Sequence, residues 1–285
     1  MHAPTGSGTT ARDALDGAIT AITAAGCETP RLDAELLLAN VLGVRREQLL
    51  SDPDLLVAGP AVRAFQDAVR RRAVEREPVA YIIGRRAFRR LELSVDPRAL
   101  IPRPETELLV EVSVGLGAGA RVLDVGTGSG AVALALKDER PDLHVTGSDI
   151  SDAALELARS NGERLELDVQ WLRADLLADL GELEFDAVVS NPPYVAESER
   201  VLLAPEIIRH EPADALFAGP DGLSCIRALL EQLAELPDVH FLAMEVGAGQ
   251  AAAVAELTRA AGFDAIRFER DLARIQRVVV AERHR

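Results

Sequence analysis

The sequence has only two cysteines, Cys27 and Cys225, far apart and with no cysteine or histidine at metal-ligand spacing around them. That excludes a zinc ribbon or a disulfide scaffold and points to a reducing, cytoplasmic setting. The five histidines (His2, His144, His210, His240 and His284) are scattered and form no metal set. No apolar run approaches the ~18 residues that a spanning helix requires, so no membrane partner is expected. Residues 1–10, MHAPTGSGTT, have neither a basic region nor an apolar core; they read as a mobile tail and not as a secretory signal. Basic charge is also in short supply. The net charge is −15, from 31 basic and 46 acidic residues. A DNA-binding protein gains much of its affinity by neutralising phosphates and shows a basic face. Here only Arg70-Arg71-Arg72 and the arginines at 85, 86, 89 and 90 are locally basic. They read as solvated helix surface, and no DNA partner is expected.

What is present is ordinary for a globular protein. The chain has 285 residues, 48% hydrophobic and 27% charged, enough for a large domain or for a medium one with a small companion. Residues 11–76 carry helical patterning. Leu15, Ile19 and Ile22 share one helix face; Thr29-Pro30 opens a second helix with Leu32, Leu36, Leu37 and Val41, closed by Gly43. Shorter helices are expected at 46–50 and 60–75, giving a small bundle. Between 77 and 104 the period changes. Val79–Gly84 and Ala87–Val95 read as two strands of a β-hairpin, followed by the stiff segment Ile101–Glu107 and a helix at 105–114. From 119 onward strand and helix alternate, which predicts a mainly parallel α/β sheet with right-handed crossovers. Its strands are expected at 121–125, 144–148, 169–173, 186–190 and 241–246. An antiparallel pair, 265–269 with 275–281, ends the chain. Glu245 is left open as a structural or solvent-facing residue.

Two stretches of this alternating region carry chemistry. The first strand runs into Gly126-Thr127-Gly128-Ser129-Gly130. Glycines let a ligand approach the backbone, and the following helix offers free N–H groups. Asp149, at the end of the next strand, stands where a carboxylate takes the two ribose hydroxyls of a nucleoside. Asp175 and Leu176, after the third strand, are placed for an adenine amino group and an adenine face. The second stretch is Ser190-Asn191-Pro192-Pro193-Tyr194. Two prolines fix φ and remove donors just past a strand end. This makes a rigid corner in which the Asn191 side-chain carbonyl and the Pro192 backbone carbonyl are suited to accept the two N–H bonds of one planar NH2 group. Such a grip positions a poorly nucleophilic amide nitrogen for alkylation, with Tyr194 stacked on the flat group.

Asp124–Gly130, Asp149 and Asn191–Tyr194 together resemble a class I S-adenosylmethionine-dependent methyltransferase of the N-methylating kind. Tyr81–Gly84, Phe88, Ile101–Glu107, Arg209–Pro212 with Ala215-Leu216, and Asp271–Arg274 before Arg277–Val279 extend the resemblance to the PrmC/HemK family over residues 11–283. It implies a Rossmann-like sheet with a small N-terminal helical bundle joined by a β-hairpin: a tail at 1–10, a substrate-recognition domain at 11–76, a hairpin linker at 77–104 and a methyltransferase domain at 105–285. It implies S-adenosylmethionine as methyl donor, S-adenosylhomocysteine as product, and peptide chain release factors as protein substrate. The methylated atom would be the amide nitrogen of the glutamine in their Gly-Gly-Gln tripeptide. By position, Gly126, Thr127, Gly128, Ser129 and Gly130 fall to the methionine moiety and Asp149 to the ribose. Asn191, Pro192, Pro193 and Tyr194 fall to the glutamine amide. A monomer without metal is expected. Leu176 departs from the family, where many relatives have tryptophan, and Arg89 stands where an aromatic is common. Three other readings share these residues: a glutamine methyltransferase of a ribosomal protein, a DNA adenine-N6 methyltransferase, and a non-catalytic nucleoside-binding protein.

Overall fold

A computed structural model describes residues 9–178, 180 and 183–283. In chain order its elements are β1 (Thr9–Thr10), α1 (Ala11–Ala24), α2 (Pro30–Leu42), α3 (Arg46–Ser51), β2 (Leu56–Val57), α4 (Pro60–Arg70), α5 (Val79–Ile83), β3 (Arg85–Phe88), β4 (Leu91–Ser94), α6 (Glu107–Ser113), β5 (Arg121–Val125), α7 (Ala131–Glu139), β6 (His144–Asp149), α8 (Asp152–Leu165), β7 (Gln170–Arg173), β8 (Ala187–Ser190), α9 (Pro205–His210), α10 (Ser224–Ala234), β9 (Phe241–Glu245), α11 (Ala251–Ala260), β10 (Ala265–Arg270) and β11 (Gln276–Glu282). They fall into two compact units. One comprises the residues through Gly84 together with Ala204–His210; the other comprises Arg85–Leu203 and the chain from Glu211 onward.

The first unit is the expected helical bundle. Ile22, Leu37, Leu38, Leu49 and Phe65 are buried in its core. Three expectations are corrected here. Thr9 and Thr10 are not tail: they pair antiparallel with Val57 and Leu56, while residues 1–8 lie outside the described residues. Val79–Gly84 is not a strand. Val79–Ile83 is a helix that follows Pro78 and ends at Gly84 with φ +73°, a left-handed cap that suits glycine. An apolar run this short has no period to distinguish strand from helix. Arg72, finally, is no solvated residue. It is buried, with Nε 2.6 Å from Asp33 Oδ2 and Nη2 3.1 Å from Glu206 Oε1. Glu206 also pairs with Arg76, so α9, distant in sequence, belongs to this bundle.

In the second unit the hairpin is β3 with β4, turning at Arg89 with φ +53°. Asn161 of α8 clamps it, accepting from Ser94 N–H at 2.8 Å and donating to Ser94 O at 3.0 Å. The main sheet has seven strands in the order β10-β11-β9-β8-β5-β6-β7. β5 pairs parallel with both β6 and β8, and β8 with β9; β11 runs antiparallel to β9 and β10. The chain thus winds one way from β5 through β6 to β7, then returns to β8 on the other side of β5. The crevice at the carboxyl ends of these strands is the switch point where α/β sheets bind ligands. The middles of the central strands are apolar, as expected of a sheet covered on both faces: Val122, Leu123, Val188, Val189, Leu242 and Ala243 are fully buried.

Candidate active site

The register Val125↔Ser190 sets the glycine turn beside the Asn-Pro-Pro-Tyr corner, and Ser190 Oγ donates to Val125 O at 2.8 Å. A cavity of about 470 Å³ opens there. Gly126, Thr127, Gly128 and Ser129 line it, with Asp149, Asp175, Leu176, Asn191 and Pro193. Gly130, Pro192 and Tyr194 are not among the described residues that line it.

The glycine turn divides by function. Gly126 and Gly128 have φ of +71° and +57°, in the left-handed region that glycine adopts without strain. Gly130, with φ +84°, has another task. A Cβ there would stand 2.9 Å from the Trp171 ring, 3.1 Å from Leu134 and 3.2 Å from Ala158. It is a packing glycine on that side. Asp149 ends β6 with Oδ2 accepting Gly128 N–H and Oδ1 accepting Ser151 N–H, both at 2.9 Å. Burial nonetheless raises its pKa. Asp124, at the end of β5, accepts the Thr127 hydroxyl at 2.6 Å and Ala133 N–H at 3.1 Å. Desolvation, against those two bonds and with the charge of Asp149 nearby, pushes it up to about 7.

The corner is held at both ends. Asn191 Nδ2 donates to Thr106 Oγ1 at 3.1 Å, leaving Oδ1 as its available acceptor. Tyr194 O accepts from Gln250 Nε2 at 2.9 Å, and Tyr194 OH donates to Glu245 Oε1 at 3.1 Å. Glu245 is buried, which resolves its open reading in favour of the interior. The half-buried Tyr194 side chain also packs against the core of this unit. Desolvation, then Glu245, raises its hydroxyl pKa well above the usual range.

Sequence reasoning did not find the rest of the wall: Arg98, Ala99, Pro102 and Thr106 from the segment before α6, Pro212, Asp214 and Ala215 from the chain after α9, and Cys225 of α10. Glu211 joins the first two groups, accepting Arg103 Nη2 at 2.7 Å and Ile101 N–H at 3.2 Å. The Ile101–Glu107 motif and the Glu211-Pro212 motif were the signal, but their meeting is tertiary. Charge on the wall is lopsided: Asp124, Asp149, Asp175 and Asp214 face one arginine, Arg98. Such an acceptor-rich wall suits a cationic ligand and opposes a pyrophosphate.

Comparison with known proteins agrees with this architecture. A family model described as the PrmC N-terminal domain matches residues 13–84, and one described as the methyltransferase small domain matches residues 104–220. The chain is 38% identical over 262 residues to the release factor glutamine methyltransferase of Caulobacter vibrioides, covering 90% of each chain. It is 43% identical over 256 residues to that of Pseudomonas aeruginosa, covering 88% of this chain and 92% of the other. Among solved structures, a methyltransferase from Pyrococcus furiosus aligns with a TM-score of 0.52 at 17% identity, covering 68% of this chain and 90% of that one, a likeness of fold. By this extent of identity over nearly its whole length, the chain belongs to the PrmC/HemK family of methyltransferases.

Proposed function

We propose that this protein transfers a methyl group from S-adenosylmethionine to the side-chain amide nitrogen of the glutamine in the Gly-Gly-Gln motif of class 1 peptide chain release factors. The orientation of Asn191 carries this conclusion. With Nδ2 bound to Thr106, its Oδ1 is turned to accept, which is what a planar NH2 needs from a partner.

Bound S-adenosylmethionine supplies an electrophilic methyl group on a sulfonium. The carboxylate-rich wall suits that cation. Asp149 takes the ribose hydroxyls with the lone pairs not spent on Gly128 and Ser151. Gly126–Ser129 receive the methionine moiety, and Asp175 and Leu176 the adenine. Asn191 Oδ1 and the Pro192 carbonyl each accept one N–H of the glutamine amide, which fixes the nitrogen and favours its pyramidalisation. Prolines at 192 and 193 keep both acceptors from relaxing away. So held, the nitrogen would be placed to take the methyl group that a bound sulfonium supplies, the sulfur leaving as a neutral thioether. The N-methylated amide cation is strongly acidic and gives its proton to water, so the corner needs no tuned base. The helical unit is assigned to recognition of the release factor. Among the described residues no helix is long and apolar enough to cross a membrane, and the reaction is assigned to the cytoplasm.

Mass spectrometry of an intact release factor after incubation with enzyme and labelled S-adenosylmethionine tests this. One added methyl on the Gly-Gly-Gln glutamine is expected. Asn191→Ala should bind cofactor normally and lose roughly 100- to 1,000-fold in rate, the cost of removing one preorganised polar partner. No label on any release factor, or full activity in Asn191→Ala, overturns the assignment.

A further inference from the structure

Gln250 stands between the end of β9 and the start of α11, 56 residues from Tyr194. Its side chain reaches back to both. Oε1 accepts Gly247 N–H at 2.8 Å, and Nε2 donates to Tyr194 O at 2.9 Å. Both partners are backbone groups, one able only to donate and the other only to accept. A single orientation of the amide satisfies both; its reversal would set oxygen against oxygen and NH2 against N–H. Two glycines make the room. A Cβ on Gly247 would stand 2.8 Å from Gln250 Oε1 and 3.2 Å from the Tyr194 ring. A Cβ on Gly222, before α10, would collide with Tyr194 O and stand 2.9 Å from Gln250 Nε2. Three segments thus leave a slot that one neutral carboxamide fills.

We propose that Gln250 is a positioning residue for methyl transfer: its amide pins the Tyr194 carbonyl and thereby fixes the Pro192 carbonyl. Proline sets φ at 192 and at 193, so few soft torsions separate the Pro192 carbonyl from the pinned one. The other end of the corner is fixed independently. Ser190 Oγ donates to Val125 O at 2.8 Å, and Asn191 Nδ2 to Thr106 Oγ1 at 3.1 Å. A short stiff segment held at both ends keeps its two acceptors in register with one NH2 group. The bond from Tyr194 OH to Glu245 holds only the far end of a side chain, with rotatable bonds between it and the peptide, and does not replace Gln250. This rests on the methyl-transfer function proposed above and adds the group that holds its second acceptor in place.

The slot sets which replacements can work. Glutamate has the same shape. Ionised, it turns a negative oxygen toward the Tyr194 carbonyl and is repelled. Protonated, it accepts from Gly247 and donates to Tyr194 O, the native pattern. Methionine, of similar length, does neither. The charged groups around Tyr194 are Glu245, Arg277 of β11 and Arg103; Arg277 is paired with Asp271 at 2.9 Å. Asp221, beside Gly222, is paired with Arg227. All are present in wild type and variants alike, so a ratio of the two rates cancels their titration. That includes Glu245, which burial raises to about 6.

The experiment is the pH profile of kcat at saturating S-adenosylmethionine, with an intact release factor as substrate. Calorimetric affinity for S-adenosylmethionine and melting temperature are measured alongside. Gln250→Met should lose roughly 10- to 100-fold in kcat, the scale of a misplaced reacting group, with cofactor affinity nearly unchanged and a ratio to wild type that does not vary with pH. Gln250→Glu should lose as much at about pH 8 and regain most of the rate toward about pH 5, as a carboxyl whose ionised form the carbonyl opposes takes up its proton. Should Gln250→Met fail to fold, Gln250→Glu decides alone through that ratio, since in acid it restores the native bonds. A fully active Gln250→Met overturns the proposal, even if it melts lower, because Gln250 would then serve stability only. A Gln250→Glu ratio that is flat with pH overturns it, as does a loss of cofactor affinity as large as the loss of kcat. A wild type inert on every release factor at every pH overturns the function as well, which separates the two failures.

Discussion

Asp149 Oδ2 accepts the N–H of Gly128 at 2.9 Å, so the carboxylate that ends β6 also ties down the turn that follows β5. One side chain thus shapes two parts of the cavity wall. Asp149→Asn retains the size but puts an NH2 against either Gly128 N–H or Ser151 N–H. We expect cofactor affinity to fall by roughly 10- to 100-fold, the equivalent of one or two hydrogen bonds to a charged group, with kcat at saturation changed far less. Calorimetry with S-adenosylmethionine and with S-adenosylhomocysteine measures it. Burial raises the Asp149 pKa, so wild-type affinity should fall on acidification as this carboxylate takes up a proton, and the fall should be smaller in the variant. Unchanged affinity would remove Asp149 from the ribose.

Gly130→Ala should act on stability. The new methyl would meet Trp171 at 2.9 Å, with φ at +84°. Left-handed backbone costs an alanine about 1–2 kcal/mol and overpacking about 1–3 more. Gly43→Ala is the control: φ is +65° with nothing within 4 Å of the added carbon, so only the backbone cost of about 1–2 kcal/mol applies. Trp171 is the sole tryptophan, and urea unfolding followed by its fluorescence reads the Gly130 site directly. Loss no greater than a left-handed backbone alone would show that the ring moves aside freely.

These glycines also show how far the sequence could be read. Gly126–Gly130 stand in one turn, and their position after a strand was enough to find the edge of the sheet where a cavity opens. It gave no sign of the packing that Gly130 makes, because Trp171 arrives from another strand. The parallel sheet was legible because its central strands are apolar runs separated by helical stretches, a pattern in neighbouring residues. The hold on Asn191 was not, since its partner Thr106 lies 85 residues away and a threonine in a stiff segment has no signature of a second task. Val79–Ile83 was misread for the opposite reason: its local composition favours a strand, and helix follows from packing against α2 and from the Gly84 cap.

Arg72 is the clearest stability test of the helical unit. It lies buried between Asp33 and Glu206, and Asp33 also accepts the Thr29 hydroxyl at 2.7 Å. Arg72→Met removes one charge and leaves Asp33 buried without its countercharge, which typically costs about 3–5 kcal/mol. Glu206 keeps Arg76. Combining Arg72→Met with Asp33→Leu should recover most of the loss, because an apolar pair replaces the ion pair. Thermal unfolding of the full chain by circular dichroism separates the cases. An Arg72→Met protein as stable as wild type would mean that Asp33 is reached by water.

Asp124 gives a pH dependence whose sign is set by burial. In the unfolded chain it ionises near its ordinary 3.8, and in the folded chain near about 7. Between these values the folded state retains a proton that the unfolded state releases, so each rise in pH favours unfolding. The slope for one group is at most about 1.4 kcal/mol per pH unit. Its contribution to stability is present in full below pH 3.8 and is lost as pH passes through about 7. Asp124→Asn keeps an oxygen for Thr127 and Ala133 but cannot ionise. We therefore expect the variant to gain on wild type as pH is raised from 5 to 8, and the difference to level off above 8, where Asp124 is ionised in both states. Melting temperatures of the two proteins across that range decide the matter. The Thr127 hydroxyl, 2.6 Å from Asp124, ties the glycine turn to this carboxylate. Two curves that stay parallel would mean that Thr127 and Ala133 hold Asp124 ionised well below neutrality despite its burial.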